Sequence, residues 1–217
     1  MKTLKLAWVD HSSAKKAVFR WHYSRRMPIG KLAKIGVFED DKYIGCVIYG
    51  RGASPKVLQK EANLKSNAEF VELVRVALDK HDNPVTKILA VSIKLLKKRN
   101  PNLKAIVSFA DTKQGHLGKI YQAGNWIYTG LGSIGGNSYF VFGKETHQRT
   151  MGQIYLPQFQ ESCRQGFEGT FHDWLVEYVD PNIRIIKTSP KFKYIYPLDN
   201  ETRQVVLNHK KDYPKEI

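Results

Sequence analysis

The stretch Ser108-Phe109-Ala110-Asp111-Thr112-Lys113-Gln114-Gly115-His116-Leu117-Gly118-Lys119-Ile120-Tyr121-Gln122-Ala123-Gly124-Asn125-Trp126 follows the apolar run Leu103-Lys104-Ala105-Ile106-Val107. The run reads as a buried strand. The stretch then carries an aspartate into a turn rich in glycine, histidine and glutamine. A short helix follows, with Tyr121 about three turns beyond Asp111. A carboxylate at the carboxyl end of a strand, beside an opening helix, is a common way to build a site in a domain of mixed strands and helices. The plain alternative is a capped turn, in which Asp111 or Thr112 satisfies the first helical N–H groups.

Upstream, His11 to Tyr23 reads as a helix that starts near Ser12 and Ser13 and stops before Pro28. Ile35–Glu39 and Tyr43–Tyr49 read as a hairpin joined by Asp40-Asp41-Lys42. Gly50 to Pro55 is a loop, and Phe70–Leu78 a strand with Arg75 inside it. A helix runs from about Val85 to Lys98, with Val85, Ile88, Leu89, Ser92, Leu95 and Leu96 on one face. Beyond the Asp111 region, Trp126–Gly130 and Ser138–Phe142 read as a strand pair around a turn at Gly132 to Asn137. The chain therefore divides into a catalytic core over 1–143 and a basic, aromatic extension over 144–217, packed on the core with a partly mobile tail. The order helix, hairpin, strand, helix, strand, helix, strand pair predicts an α+β fold. It is also the order of a Gcn5-related N-acyltransferase-like domain, a mixed sheet flanked by helices.

Composition narrows the partner. The 217 residues are 42% hydrophobic, enough for one good core. The formal net charge is +15 and the isoelectric point about 9.7. An enzyme of small metabolites has no need of such an excess; it points to nucleic acid, whose phosphates lysine and arginine neutralise, the plain alternative being a basic surface kept for solubility. No apolar run approaches the ~20 residues that span a bilayer, and the amino terminus lacks the apolar region of a signal peptide. Cys46 and Cys163 lie far apart, without metal spacing, as in a reducing compartment. A cytoplasmic protein is expected.

Several segments in order resemble the Mom family of phage and prophage proteins that hypermodify adenine in DNA. They are Trp21-His22-Tyr23-Ser24-Arg25-Arg26-Met27-Pro28-Ile29-Gly30, Gly45-Cys46-Val47-Ile48-Tyr49-Gly50-Arg51-Gly52-Ala53, Glu72-Leu73-Val74-Arg75-Val76-Ala77-Leu78 and Asn83-Pro84-Val85-Thr86-Lys87-Ile88. The Val107-to-Trp126 stretch and Lys193-Tyr194-Ile195-Tyr196-Pro197-Leu198-Asp199 complete the set, over roughly Lys16 to Arg203. The resemblance implies an acyltransferase-like fold and transfer of a carbamoylmethyl group to N6 of adenine in double-stranded DNA. Such DNA resists host restriction in an infected or lysogenic bacterium. It also implies a site containing His22, Tyr23, Arg75, Thr86, Asp111 and Tyr121, with iron as a cofactor held by His22, Tyr23 and Asp111.

Each residue has an ordinary reading beside that one. His22 and Tyr23 point about 100° apart on a helix, so both reach one site only if the helix ends there. Otherwise Tyr23 packs in the core and His22 caps. Imidazole, phenolate and carboxylate suit iron, and equally suit proton transfer. Arg75 needs a partner, and Asp111 is the candidate, for chemistry or for structure alone. Thr86 either caps the lysine-rich helix or holds a donor's phosphate or carboxylate. His81-Asp82-Asn83-Pro84-Val85-Thr86 lacks the glycine-rich pyrophosphate loop of ordinary acyl-CoA enzymes, so acyl-CoA binding is doubtful and the group donor unknown. Tyr121 falls where such enzymes keep a tyrosine general acid, or is a core ring with its hydroxyl at the rim. Arg25, Arg26, Arg51, Lys191, Lys193 and Tyr194 are candidates for DNA contact, although the Lys191-to-Tyr196 alternation also suits a half-buried strand. A homodimer is compatible with the chain. The competing functions are an acyltransferase acting on a protein, a small amine or aminoacyl-tRNA, and a DNA-binding protein without catalysis.

Overall fold

A computed structural model describes residues 2–51, 56–64, 66, 68–132 and 137–216. In chain order the elements are β1 (Leu4–Trp8), α1 (His11–Trp21), β2 (Leu32–Glu39), β3 (Lys42–Gly50), α2 (Lys56–Ala62), β4 (Phe70–Leu78), α3 (Val85–Arg99) and β5 (Ala105–Asp111). A 3-10 turn at Thr112–Gln114 leads to α4 (Lys119–Ala123), β6 (Ile127–Leu131), β7 (Asn137–Val141), β8 (Lys144–His147), α5 (Gln148–Arg164) and α6 (Phe171–Tyr178). The chain closes with β9 (Arg184–Lys187), β10 (Lys191–Pro197) and α7 (Asn200–Leu207). The expected loop at Gly50 to Pro55 and turn at Gly132 to Asn137 fall largely outside the described residues.

The larger unit holds the residues up to 132 and those from 191 onward. Its sheet runs β1-β2-β3-β4-β5-β10-β6, with β4 and β5 the one parallel pair among the described strands. The expected α+β class and mixed sheet flanked by helices are what the chain forms. Strand alternation feeds both faces. Val47, Tyr49, Leu73 and Ile106 pack with Ile88, Leu89 and Leu96 of α3. Cys46, Ile48 and Ala77 pack under Ala14, Ala17 and Val18 of α1. Ala105, Val107 and Ile195 pack with Leu58 of α2 and Val206 of α7.

The expected boundary at 143/144 is wrong. The chain leaves the core sheet after β6 and re-enters it at β10, which pairs with β5 on one side and β6 on the other. The Lys191-to-Tyr196 run is therefore central core, not extension. Its period-two pattern suited a half-buried strand, and the sheet supplied both neighbours. The expected strand pair is also absent: β6 ends the core sheet, while β7 is the middle strand of a second sheet, β8-β7-β9.

That second sheet belongs to a compact unit of the residues between 133 and 190. Tyr139, Val141, Met151, Trp174, Leu175 and Ile183 form its own core. Trp174 stacks with Phe171 and Tyr178 and donates Nε1–H to Ser162 Oγ at 2.9 Å. Thr170 and Asp173 cap α6 reciprocally, each side chain bonded to the other's backbone N–H. Charge separates the units. The larger holds thirty lysines and arginines against fourteen aspartates and glutamates, a formal +16; the smaller holds five against six, a formal −1. Among the described residues no helix is long and apolar enough to cross a membrane.

Candidate active site

The cavity of the larger unit begins with a defect in β4. Between the pairs Ile48↔Arg75 and Tyr49↔Leu73, β4 contributes one residue too many, Val74. Such a bulge bends its strand and re-aims the neighbouring side chains. β4 pairs with β5 over Phe70–Glu72 against Ala105–Val107, and the ladder ends there. Ser108 serves the end of the ladder: its hydroxyl donates to the Leu73 carbonyl at 2.8 Å. The Tyr121 oxygen lies 2.8 Å from the same Ser108 oxygen. A carbonyl only accepts, so the single Ser108 proton goes to Leu73 and the Tyr121 O–H donates to Ser108.

A cavity of about 550 Å³ opens here. Its walls are Leu73 to Val76 of β4, Phe109 and Ala110 of β5, Gly115 to Tyr121, and Trp21, His22 and Tyr23. Burial pushes the Tyr121 phenol up to about 12 against a partial offset from Ser108, so it keeps its proton at neutral pH. Arg75 is half-buried on the wall. Its guanidinium donates to the backbone carbonyls of Val74 at 2.6 Å and Arg26 at 3.4 Å. Burial lowers its proton affinity, opposed by Tyr23 and Glu72.

His22 and Tyr23 reach the same cavity because α1 ends at Trp21, two residues earlier than expected. His22 is its C-cap, in extended conformation at φ −103°, and donates its backbone N–H to Val18 at 3.1 Å. The rings of His22 and Tyr23 lie 4.4 Å apart, and Tyr23 meets His116 edge-on at 5.3 Å. Burial, with the charges of Arg75 and His116, pulls His22 down to about 4, so the imidazole is neutral. The Ser24 amide N–H donates to its Nδ1 at 3.1 Å, and Ser24 Oγ lies 2.8 Å from the same atom. An amide N–H only donates, so Nδ1 is the acceptor and the ring proton sits on Nε2. Gly118, at φ +76°, brings the loop against Tyr194: a Cβ there would lie 2.4 Å from the ring.

The expected Arg75–Asp111 ion pair is not formed. Asp111 accepts from Lys113 N at 3.1 Å, capping the 3-10 turn, and its other oxygen lies 3.7 Å from Lys191 Nζ. The capped-turn alternative describes it. Asp111 stands near enough to help burial raise the Tyr23 pKa, but it is not part of the cavity wall. Thr86 is also away from the wall, in the first turn of α3. The turn before that helix is served from within: the buried Glu39 carboxylate accepts from Asp82 N at 3.0 Å and from Asn83 N at 2.7 Å and Nδ2 at 2.8 Å. Burial alone would raise Glu39; these bonds and Lys2 overcome it and hold the carboxyl at about 2.

The His22, Tyr23 and Asp111 set does not fit iron as placed. Nδ1 of His22 is taken by Ser24, which leaves its Nε2 a donor. Burial and Asp111 hold Tyr23 protonated. Asp111 is bound to Lys113 and Lys191. Among the described residues no group of three His, Cys, Asp or Glu could hold a metal ion.

Two expected DNA contacts are also wrong. Lys193 is 6% exposed, with its ammonium 2.9 Å from Glu61 Oε2, and Tyr194 is fully buried among Tyr121, Tyr128 and Tyr213. Both sit in a strand with neighbours on both sides. Arg25, Arg26, Arg51 and Lys191 are exposed. Absent from the expected site were Trp21, Ser108, Phe109, His116 and Lys119. The one signal for them was the strand–turn–helix that carries four of the five.

The chain matches the Mom protein family over residues 3–215. It belongs to that family. A member, the methylcarbamoylase mom of Escherichia phage Mu, is 26% identical over 155 residues, 70% of this chain and 64% of the relative. The match thus spans less than two thirds of that relative's length. Among solved structures, an N-acyl amino acid synthase from uncultured soil microbes aligns with TM-score 0.42 and 10% identity, over 96% of this chain and 97% of the other. An aminoglycoside acetyltransferase aligns with TM-score 0.43 and 8% identity, over 59% and 87%.

Proposed function

We propose that this Mom family member transfers a carbamoylmethyl group to N6 of adenine in double-stranded DNA, which protects phage DNA from host restriction. One observation carries the reading beyond family membership: the splayed strands gather His22, Tyr23, Arg75 and Tyr121 around one cavity, in the unit that holds the whole basic excess. Adenine N6 is buried in the base stack, so the base must leave the duplex to react. Tyr23, 55% exposed at the cavity and set against two imidazoles, offers it an aromatic face.

The N6 lone pair is delocalised into the ring, so the donor carbon must carry a good leaving group. As the N6–C bond forms and the donor bond breaks, Arg75 holds the negative charge that develops on donor oxygens. Tyr121, protonated at working pH, turns its one O–H from Ser108 to the departing group and supplies it a hydrogen bond or proton. His22 presents Nε2–H as a donor, not as a base. His116 on the same wall is placed to take the N6 proton. Transfer from acyl-CoA by the usual route is not supported, since the amides that would cradle a pyrophosphate before α3 are held by Glu39.

Mass spectrometry of nucleosides from the DNA of cells expressing the chain tests this. The expected product is an adenosine derivative heavier by one carbamoylmethyl group. DNA yielding only ordinary nucleosides under conditions of good expression would contradict it.

A further inference from the structure

Far along the core sheet from β4, the edge strand β6 carries another irregularity. Between the pairs Phe192↔Leu131 and Tyr194↔Tyr128, β10 supplies one residue, Lys193, and β6 supplies two, Thr129 and Gly130. This too is a bulge, with Gly130 at φ +100°. The glycine is needed for space as well as for conformation. A Cβ there would lie 2.9 Å from Lys211 Nζ and 3.1 Å from its Cδ, so its absence makes the channel in which that side chain lies.

Beside the bulge is a notch of about 240 Å³ lined by Lys60, Glu61, Thr129, His209, Lys210 and Lys211. The Glu61 carboxylate is already matched by Lys193 at 2.9 Å. Lys60, Lys210 and Lys211 form no ion pair among the described residues. The segment that brings Lys210 and Lys211 is fixed, not trailing: Lys211 N donates to the Tyr128 carbonyl at 2.8 Å, and Tyr213 donates its O–H to the Trp126 carbonyl at 2.7 Å. Thr129 is 9% exposed, and among the described residues its hydroxyl has no hydrogen-bond partner. A buried hydroxyl without a partner is costly. Three lysines line the notch beside it, with one carboxylate already matched elsewhere. One missing component answers both: an anion whose oxygens accept from the hydroxyl and the ammoniums.

We infer that the notch at the β6 bulge is a phosphate-binding site and that the phosphate is a backbone phosphodiester of duplex DNA. The choice of DNA over a free phosphate rests on the function proposed above. The notch is one strand beyond β10, which borders the β5 strand of the cavity, so it grips the duplex away from the reacting base. It fixes position and carries no base preference.

Binding of a duplex by the full chain, measured across a range of salt, tests the site in Lys60→Glu, Lys211→Glu and Thr129→Val. Each lysine change is expected to weaken binding about tenfold near 0.1 M salt and to lower the salt slope by about one. Thr129→Val keeps the side-chain shape and is expected to weaken binding roughly threefold while the melting temperature holds or rises. Wild-type affinity and slope in all three variants, with the wild-type chain binding DNA, would overturn the site alone. If the wild-type chain binds inorganic phosphate, loses it in these variants and keeps its DNA affinity throughout, the DNA assignment is overturned. A wild-type chain that binds no duplex defeats the DNA function itself, a failure seen before any variant is made.

Discussion

The two units of this chain are built by similar physics and do different things. The larger has a seven-stranded sheet broken by three bulges among its described strands, one beside the cavity, one beside the basic notch and one at Ile44 beside neither. The smaller has a three-stranded sheet whose pairings are regular, closed over an aromatic core, with no net surplus of positive charge. The contrast teaches where to look: irregular pairing and unbalanced charge coincide in one unit, and that unit holds the residues with displaced pKa values that share a cavity.

Changes to the cavity should hit chemistry hardest. Arg75→Ala is expected to lower adenine modification about a hundredfold or more while duplex affinity stays within about threefold. Equal loss of both would place Arg75 in DNA binding and blur the contrast. His22 gives a pH signature. Its proton affinity is depressed to about 4, so it stays neutral as pH falls through its ordinary value of 6.5. The rate should show no inflection that His22→Asn removes between pH 5 and 8.

The largest stability effect is expected in the smaller unit. Trp174→Ala should cost about 3–5 kcal/mol there. Hydrogen exchange should quicken over residues 137–190 and leave β2 to β5 protected; exchange quickening across both would mean that the units are one cooperative body. In the larger unit, Glu39→Gln should cost roughly 1.5–3 kcal/mol at neutral pH, because charged acceptors are lost from two amides. The folded carboxyl titrates at about 2, below its ordinary 4.5. Its contribution is therefore full above about pH 4.5 and lost as pH falls toward 2. The gap between wild type and variant should close over that window, and a gap constant from pH 6 to 2.5 would show that the carboxylate is not what holds the turn. The smallest effect is expected from the smaller unit's own charges. Lys144→Glu and Lys187→Glu should each alter duplex affinity less than about twofold, against about tenfold for Arg25→Glu or Arg51→Glu.

Much of the fold was legible because periodicity reports burial. The 3.6-residue face of α3 and the alternation of β2 and β3 gave their elements directly. The Lys191-to-Tyr196 strand was also visible in its alternation, but alternation does not say which sheet a strand joins. That is why its lysine and tyrosine were read as surface and proved buried. The site was partly legible for the same reason. His22, Tyr23, Arg75 and Tyr121 come together, whereas the partner of Asp111 depended on where β10 inserts, which local sequence does not encode. Ser108 and Thr129 left no trace, since a hydroxyl in a strand acquires meaning only from its neighbours across the sheet.

The central claim is that chemistry resides at the β4/β5 opening and DNA affinity in the basic surface around it. Tyr121→Phe tests it most directly, because the ring stays in the core and only the hydroxyl bonded to Ser108 is lost. Adenine adduct and duplex affinity should be measured on the same purified variant. The account predicts that adduct falls about a hundredfold or more while affinity is unchanged. Full modification by Tyr121→Phe, or affinity lost together with adduct, would contradict it.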